Sequence, residues 1–220
     1  MRRPTFCLLI LSVMTLVACE QDVYDKGDVS YSYMRADFVE ANVGSDKRVA
    51  SVLTDDDMLL PLTTSYSASW IQRPDTVYRA VLYYNMKGQQ AEAVSLQRVA
   101  TLGIRPSRQV GDSVKTDPLK LESVWLSGNR KYLNVSVIVK LGQMGDDGAT
   151  QTLGVVGDTL LVGTDSLRIC YLRLSHSQGD VPQYYSQRVY FSIPVSGLGV
   201  DSLRLTVNTY NGVVTKGFCL

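Results

Sequence analysis

Val135, Val137 and Val139 alternate with Ser136, Ile138 and Lys140 in a run that follows the turn Ser127-Gly128-Asn129. Alternation of period two puts one set of side chains on each face of an extended strand; a helix cannot sort them that way. The preceding run at 119–126 completes a hairpin, the clearest in the chain. The same texture recurs at 31–39, 47–53, 58–66, 77–84 and 91–99. Asp55-Asp56-Asp57 separates the second of these from the third, its side chains suited to a tight turn by bonding to their own backbone. Met86-Lys87-Gly88 separates the fourth from the fifth. Long segments of helical period are missing, so the chain reads as all-β.

Five strands of this size close a small barrel. The stretch 103–118 contains Pro106, Gly111 and Pro118 and little apolar periodicity, and it reads as the domain boundary. Beyond it, further runs at 151–156, 167–175, 184–194, 202–210 and 213–218 join the hairpin. About seven short strands with turns between them suit an antiparallel β-sandwich. The expected units are a barrel domain over residues 29–115 and a sandwich domain over residues 116–220.

Residues 1–18 have the order of a bacterial lipoprotein signal: Arg2 and Arg3, an apolar run from Phe6 to Val17, then Ala18 before Cys19. The run is too short to span a bilayer, which takes about 20 apolar residues. Cleavage leaves Cys19 as the lipidated first residue, and residues 19–28, rich in Asp and Glu, form a solvated linker. The expected place is the cell envelope, with the outer membrane as the bilayer and its periplasmic or surface side left open. Losing Arg2 and Arg3 turns the formal charge of +1 into one near −1, and no run of Lys and Arg follows, which argues against nucleic acid as partner.

Cys170 and Cys219 then remain in an oxidising compartment. They either form one disulfide, worth roughly 4 kcal/mol for a loop of about 50 residues, or stay as separate thiols. His176 is the only histidine, so a multi-histidine zinc site is impossible. No nucleophile elbow, phosphate loop or dinucleotide fingerprint occurs. No catalytic residue, metal or cofactor is therefore expected, although carboxylates from distant strands could still assemble a hydrolase site.

Three blocks carry a resemblance: Leu60-Pro61-Leu62 with the run from Trp70 to Arg79; Leu121-Glu122-Ser123-Val124-Trp125-Leu126; and Tyr190-Phe191-Ser192-Ile193-Pro194. Together they resemble the NigD-like lipoproteins of Gram-negative anaerobes, and the likeness covers nearly the whole mature chain. It implies an N-terminal OB-like barrel and a C-terminal β-sandwich. It transfers no catalytic or ligand-binding residue; what it suggests by way of role is bacteriocin immunity or an accessory function. An OB-like barrel offers a concave face, and outside the cytoplasm a protein or glycan partner fits it best. Trp70 and Trp125 are the candidate platforms. Arg73 and Asp75 flank a corner after Trp70 and either contribute to binding or pair to fix that turn. The expected function is a noncatalytic, lipid-anchored interaction protein.

Overall fold

The computed structural model describes residues 33–110, 114–142, 150–162 and 167–220. The leader, the lipidation site Cys19 and the linker 19–28 lie outside these residues. The first unit comprises β1 (Arg35–Val43), β2 (Val49–Thr54), β3 (Leu59–Tyr66), β4 (Thr76–Lys87) and β5 (Gln90–Arg98), closed in the order β1-β2-β3-β5-β4. All pairings are antiparallel except β3 with β5, which meet in parallel at Leu62 and Ala91. This is the five-stranded Greek-key barrel of the OB-fold. Val39, Ala41, Leu60, Ala80, Leu82 and Tyr84 are among the side chains that fill it. Register shifts at Asn42/Val43, Val49/Ser51 and Tyr83/Tyr84 bend the strands enough to close so narrow a sheet.

The second unit has two facing sheets. One holds β14 (Gly212–Cys219), β13 (Ser202–Thr209), β11 (Leu167–Ser177), β10 (Thr152–Val162) and β7 (Ile104–Pro106); the other holds β6 (Ala100–Thr101), β12 (Tyr185–Pro194), β9 (Tyr132–Leu141) and β8 (Lys120–Leu126). Their inner faces supply the core: Val135, Val137, Phe191 and Ile193 from one side, Leu172, Leu203 and Leu205 from the other. The all-β, barrel-plus-sandwich expectation holds, and so does the alternation that led to it, but the sandwich is not wholly antiparallel, since β11 and β13 pair in parallel.

The stretch read as an irregular boundary has more structure than its sequence suggested. One residue after β5, β6 pairs in parallel with β12, and β7 pairs in parallel with β10. A single helical turn, α1 (Ser107–Val110), follows. The sheets therefore draw on residues from Ala100 onward, ahead of the 115/116 division expected from composition. Strands of two and three residues are too short to show a period, which is why the sequence concealed them.

The cysteine alternatives are also settled. Cys170 stands opposite Leu203 and Leu203 opposite Phe218, whereas Cys219 stands opposite Ser202. The two cysteines are thus two strands apart, about 9–10 Å at ~4.8 Å per strand, and one residue out of step. A disulfide needs Cα atoms within about 7 Å and side chains on one face. No bond forms: Cys170 is buried among core residues and Cys219 is exposed. His176 is buried as well. Its Nδ1 donates to the Asp117 carbonyl at 2.8 Å, so its Nε2 accepts from the Gln151 amide at 3.0 Å. The histidine ties strand β11 to the segment before β8, a structural role.

In a thiol-labelling experiment on the folded protein, iodoacetamide is expected to modify Cys219 promptly and Cys170 only after denaturant is added. Mass spectrometry of the two peptides reads the difference directly.

Candidate functional site

The outer wall of the barrel packs on the outer face of the β8-β9-β12 sheet, and the candidate site lies along that seam. On β1 and β4 the residues out of phase with the barrel core are Phe38, Glu40, Arg79, Val81 and Tyr83. On the sheet, the residues out of phase with the sandwich core are Trp125, Asn134, Ser136, Arg188, Tyr190 and Ser192.

Arg79 crosses from one unit to the other. Its Nη2 is 2.7 Å from both carboxylate oxygens of Asp55 and donates to Asn134 Oδ1 at 3.0 Å, while its Nε donates to Ser192 Oγ at 3.1 Å. Asn134 returns a bond to Asp55 Oδ2 at 2.8 Å, and Ser192 donates to Asn134 Oδ1 at 2.7 Å. The guanidinium carbon lies 4.2 Å from the centroid of the Tyr132 ring and 5.4 Å from that of Phe38. Its side chain is 2% exposed. Nη1 is buried with no hydrogen-bond partner among the described residues, and the two ring faces supply the negative potential it lacks. Burial pushes the Asp55 carboxyl above its ordinary range, and the Arg79 charge pulls it back.

A second tie flanks the first. Glu40 accepts from Lys131 Nζ at 3.0 Å and from the Tyr132 hydroxyl at 2.8 Å. Burial, followed by that bond to Glu40, pushes the Tyr132 phenol up to about 12. The two turns recognised in the sequence meet beside it. Asn129 N–H donates to the Asp55 carbonyl at 2.6 Å, and its amide to Asp57 Oδ1 at 3.1 Å. A Cβ on Gly128 would displace the Asp56 carboxylate, 2.1 Å away, and crowd the Asp55 carbonyl at 3.1 Å, so glycine eases the close approach of the two turns.

Outward along the same seam the packing opens into a cleft of about 400 Å³. Phe38, Tyr83, Trp125 and Tyr190 wall it, with Glu122 and Arg188 at one side. Phe38 meets Trp125 and Tyr190 edge to face, at 5.2 and 5.6 Å between centroids. Glu122 is aimed here by a bulge: the β8-β9 register shifts between Leu121 and Ser123. It forms a two-pronged ion pair with Arg188 and accepts from Ser136 Oγ at 2.8 Å. The Arg188 bonds, then the Ser136 bond, hold the Glu122 carboxyl below its usual range. It is therefore charged at neutral pH, and the pair's contribution disappears only as pH falls through that lowered value.

The four residues singled out in the sequence do not share one site. Trp125, half-buried, belongs to the cleft. Trp70 packs edge to face on Tyr78 at 5.5 Å, against the barrel core. Arg73 and Asp75 are exposed and make no ion pair with each other; the corner is held by Ile71 N–H donating to Ala68, and Asp75 N–H to Gly44. Sequence reading missed Phe38, Arg79, Asn134 and Ser192. The one signal was Phe38, a large apolar side chain out of phase with the barrel core; an arginine, asparagine or serine at such a position is what a solvated face carries. Among the described residues, no group of three His, Cys, Asp and Glu side chains is placed to hold a metal ion.

Comparison with known proteins places this architecture. The chain matches no family model and no curated protein sequence. Among solved structures it is similar to a NigD-like immunity protein from Bacteroides caccae, with 21% identity, a TM-score of 0.62, and coverage of 84% of this chain and 96% of that one. The chain has the NigD-like fold. A protein of unknown function from Bacteroides vulgatus shows the same arrangement at 13% identity, TM-score 0.61, covering 84% of this chain and 91% of that one. So does a protein from Bacteroides fragilis provisionally described as a lipoprotein, at 12% identity, TM-score 0.58, 84% of this chain and 96% of that one. Each of these likenesses extends over both units of the chain.

Replacing Arg79 with Met should cost roughly 3–5 kcal/mol, because the Asp55 carboxyl is left buried without its partner. Chemical denaturation measures it. Arg79→Met combined with Asp55→Leu should recover much of that loss.

Proposed function

We propose that the chain is an envelope-tethered, noncatalytic binding protein that holds a saccharide in the cleft between barrel and sandwich. One observation carries the reading: an aromatic-walled cleft with a charged pair and hydroxyls at its side. Tyr83, Trp125 and Tyr190 offer flat apolar faces, and Glu122, Arg188, Ser123 and Ser136 offer directional polar groups beside them. That is the composition of a site that recognises a small molecule with an apolar face and polar edges. The walls come from two units locked together by Arg79, so the cleft is preformed and binding costs little ordering. Attachment rests on Cys19 in its lipoprotein signal and on the structural likeness to a provisionally described lipoprotein. No helix among the described residues is long and apolar enough to cross a membrane.

A glycan array probed with the full-length protein is expected to return binders. Trp125→Ala and Arg188→Ala should each weaken the strongest of them by tenfold or more, about 1.4 kcal/mol. An array without signal, or binding indifferent to both changes, would refute the assignment of the cleft.

A second reading is favoured by the likeness to a NigD-like immunity protein. On that reading the chain protects its producer, and deletion should sensitise the cell to one bacteriocin. Complementation with Trp125→Ala would then show whether the cleft is the protective surface: restored resistance separates immunity from the cleft.

A further inference from the structure

The sandwich treats its two sides differently. On one side, the sheet edges β12 and β10 are covered by β6 and β7. On the other, β8 and β14 are both terminal strands with no outer neighbour among the described residues, and a groove of about 660 Å³ runs between them. Leu119 closes one end of it by bonding across to the end of β13, its N–H to the Asn208 carbonyl and its own carbonyl to Tyr210 N–H. Leu121, Val124, Val214 and Phe218 line the groove. A volume of this size falls within the roughly 300–1,000 Å³ typical of ligand sites.

The free edge of β14 has a definite bonding pattern. Tyr210 and Asn211 form a two-residue loop between Thr209 and Gly212, and Leu220 N–H donates to the Asp201 carbonyl at 3.1 Å. Both fix the phase of the antiparallel ladder, in which paired and unpaired residues alternate. Val213, Thr215, Gly217 and Cys219 therefore turn their N–H and C=O groups away from β13, toward a side where no described strand pairs with β14. Four consecutive alternate positions, with no register shift, form a regular template for another strand.

Lys216 determines what such a strand must carry. It stands opposite Leu205, a core residue, and so lies on the inner face between Val214 and Phe218. It has no hydrogen bond or ion pair among the described residues. Lys120 lies on the facing edge of the same groove. An inward lysine repels a wholly apolar strand. It also excludes a second copy of β14, whose sequence GVVTKGFC has no acidic residue to offer.

We propose that this open side is a strand-acceptor site. An extended segment of a partner protein pairs with β14, lays alternate apolar side chains between the two sheets, and sets one carboxylate against Lys216. The site lies across β8 from the saccharide cleft, with Glu122 and Ser123 at the border of both, and its pairing edge on β14 takes no part in the cleft.

Fluorescence anisotropy of the full-length protein with labelled Val-Thr-Glu-Thr-Val-Thr-Leu, and with the same peptide carrying Lys in place of Glu, tests the assignment. Saturable binding of the Glu peptide, about tenfold tighter than the Lys peptide, is expected. Lys216→Glu should invert the preference. Gly217→Pro removes one outward N–H and no bond to β13, and should abolish binding of both peptides at an unchanged melting temperature. Equal binding of the two peptides, or a preference untouched by Lys216→Glu, would overturn the proposal. So would decanoate binding without peptide binding, which makes the groove a lipid slot. If Gly217→Pro fails to fold, the exposed Lys216→Glu exchange decides alone.

Discussion

A single buried guanidinium sets the geometry of the molecule. Arg79 belongs to the barrel, yet two of its hydrogen-bond partners, Asn134 and Ser192, belong to the sandwich. A charge this deep is tolerable only if carboxylate, amide, hydroxyl and ring faces are all in place together. That requirement admits one relative placement of the two units. An apolar seam would hold them as tightly but would specify their register less sharply. Glu40, held from across the seam by Lys131 and Tyr132, removes the rotation that a single tie would leave.

The cleft follows from this placement. Phe38 contributes to both regions, with its ring near Arg79 and its edge contacts to Trp125 and Tyr190. The aromatic walls are therefore positioned by the same interaction that joins the units. The polar side is positioned independently, by a bulge in β8 that frees Glu122 from the alternation and turns it toward Arg188. Rigid walls and a separately aimed charged pair are what a preorganised site consists of.

Most strands were legible because burial on one face forces alternation: Val135, Val137 and Val139 are buried, as their spacing required. The turns at Asp55-Asp56-Asp57 and Ser127-Gly128-Asn129 were legible for their local chemistry, but nothing local says that two turns 72 residues apart will dock. Arg79 was invisible for the same reason. On a strand, an arginine out of phase with the core reads as a solvated side chain, and only the tertiary arrangement buries it. Trp70 and Trp125 looked alike in sequence and differ in the structure because one packs inside a barrel wall and the other outside. The cysteines illustrate register: their separation along the chain is compatible with a bond that a one-residue offset forbids.

Val99 is the whole of the covalent connection between β5 and β6, and it is buried. Its N–H donates to the carbonyl of Arg79, and three residues on Leu102 N–H donates to that of Ser192. The passage from barrel to sandwich is thus woven into the seam, and the residues just beyond it become the outer strands of both sheets. The two bodies are consequently a single heritable part. A gene fragment ending after β5 leaves Arg79 without Asn134 and Ser192, while one beginning after residue 115 lacks an edge strand of each sheet. Recombination could shuffle the pair as a block, but it offers no seam at which to trade one half for another.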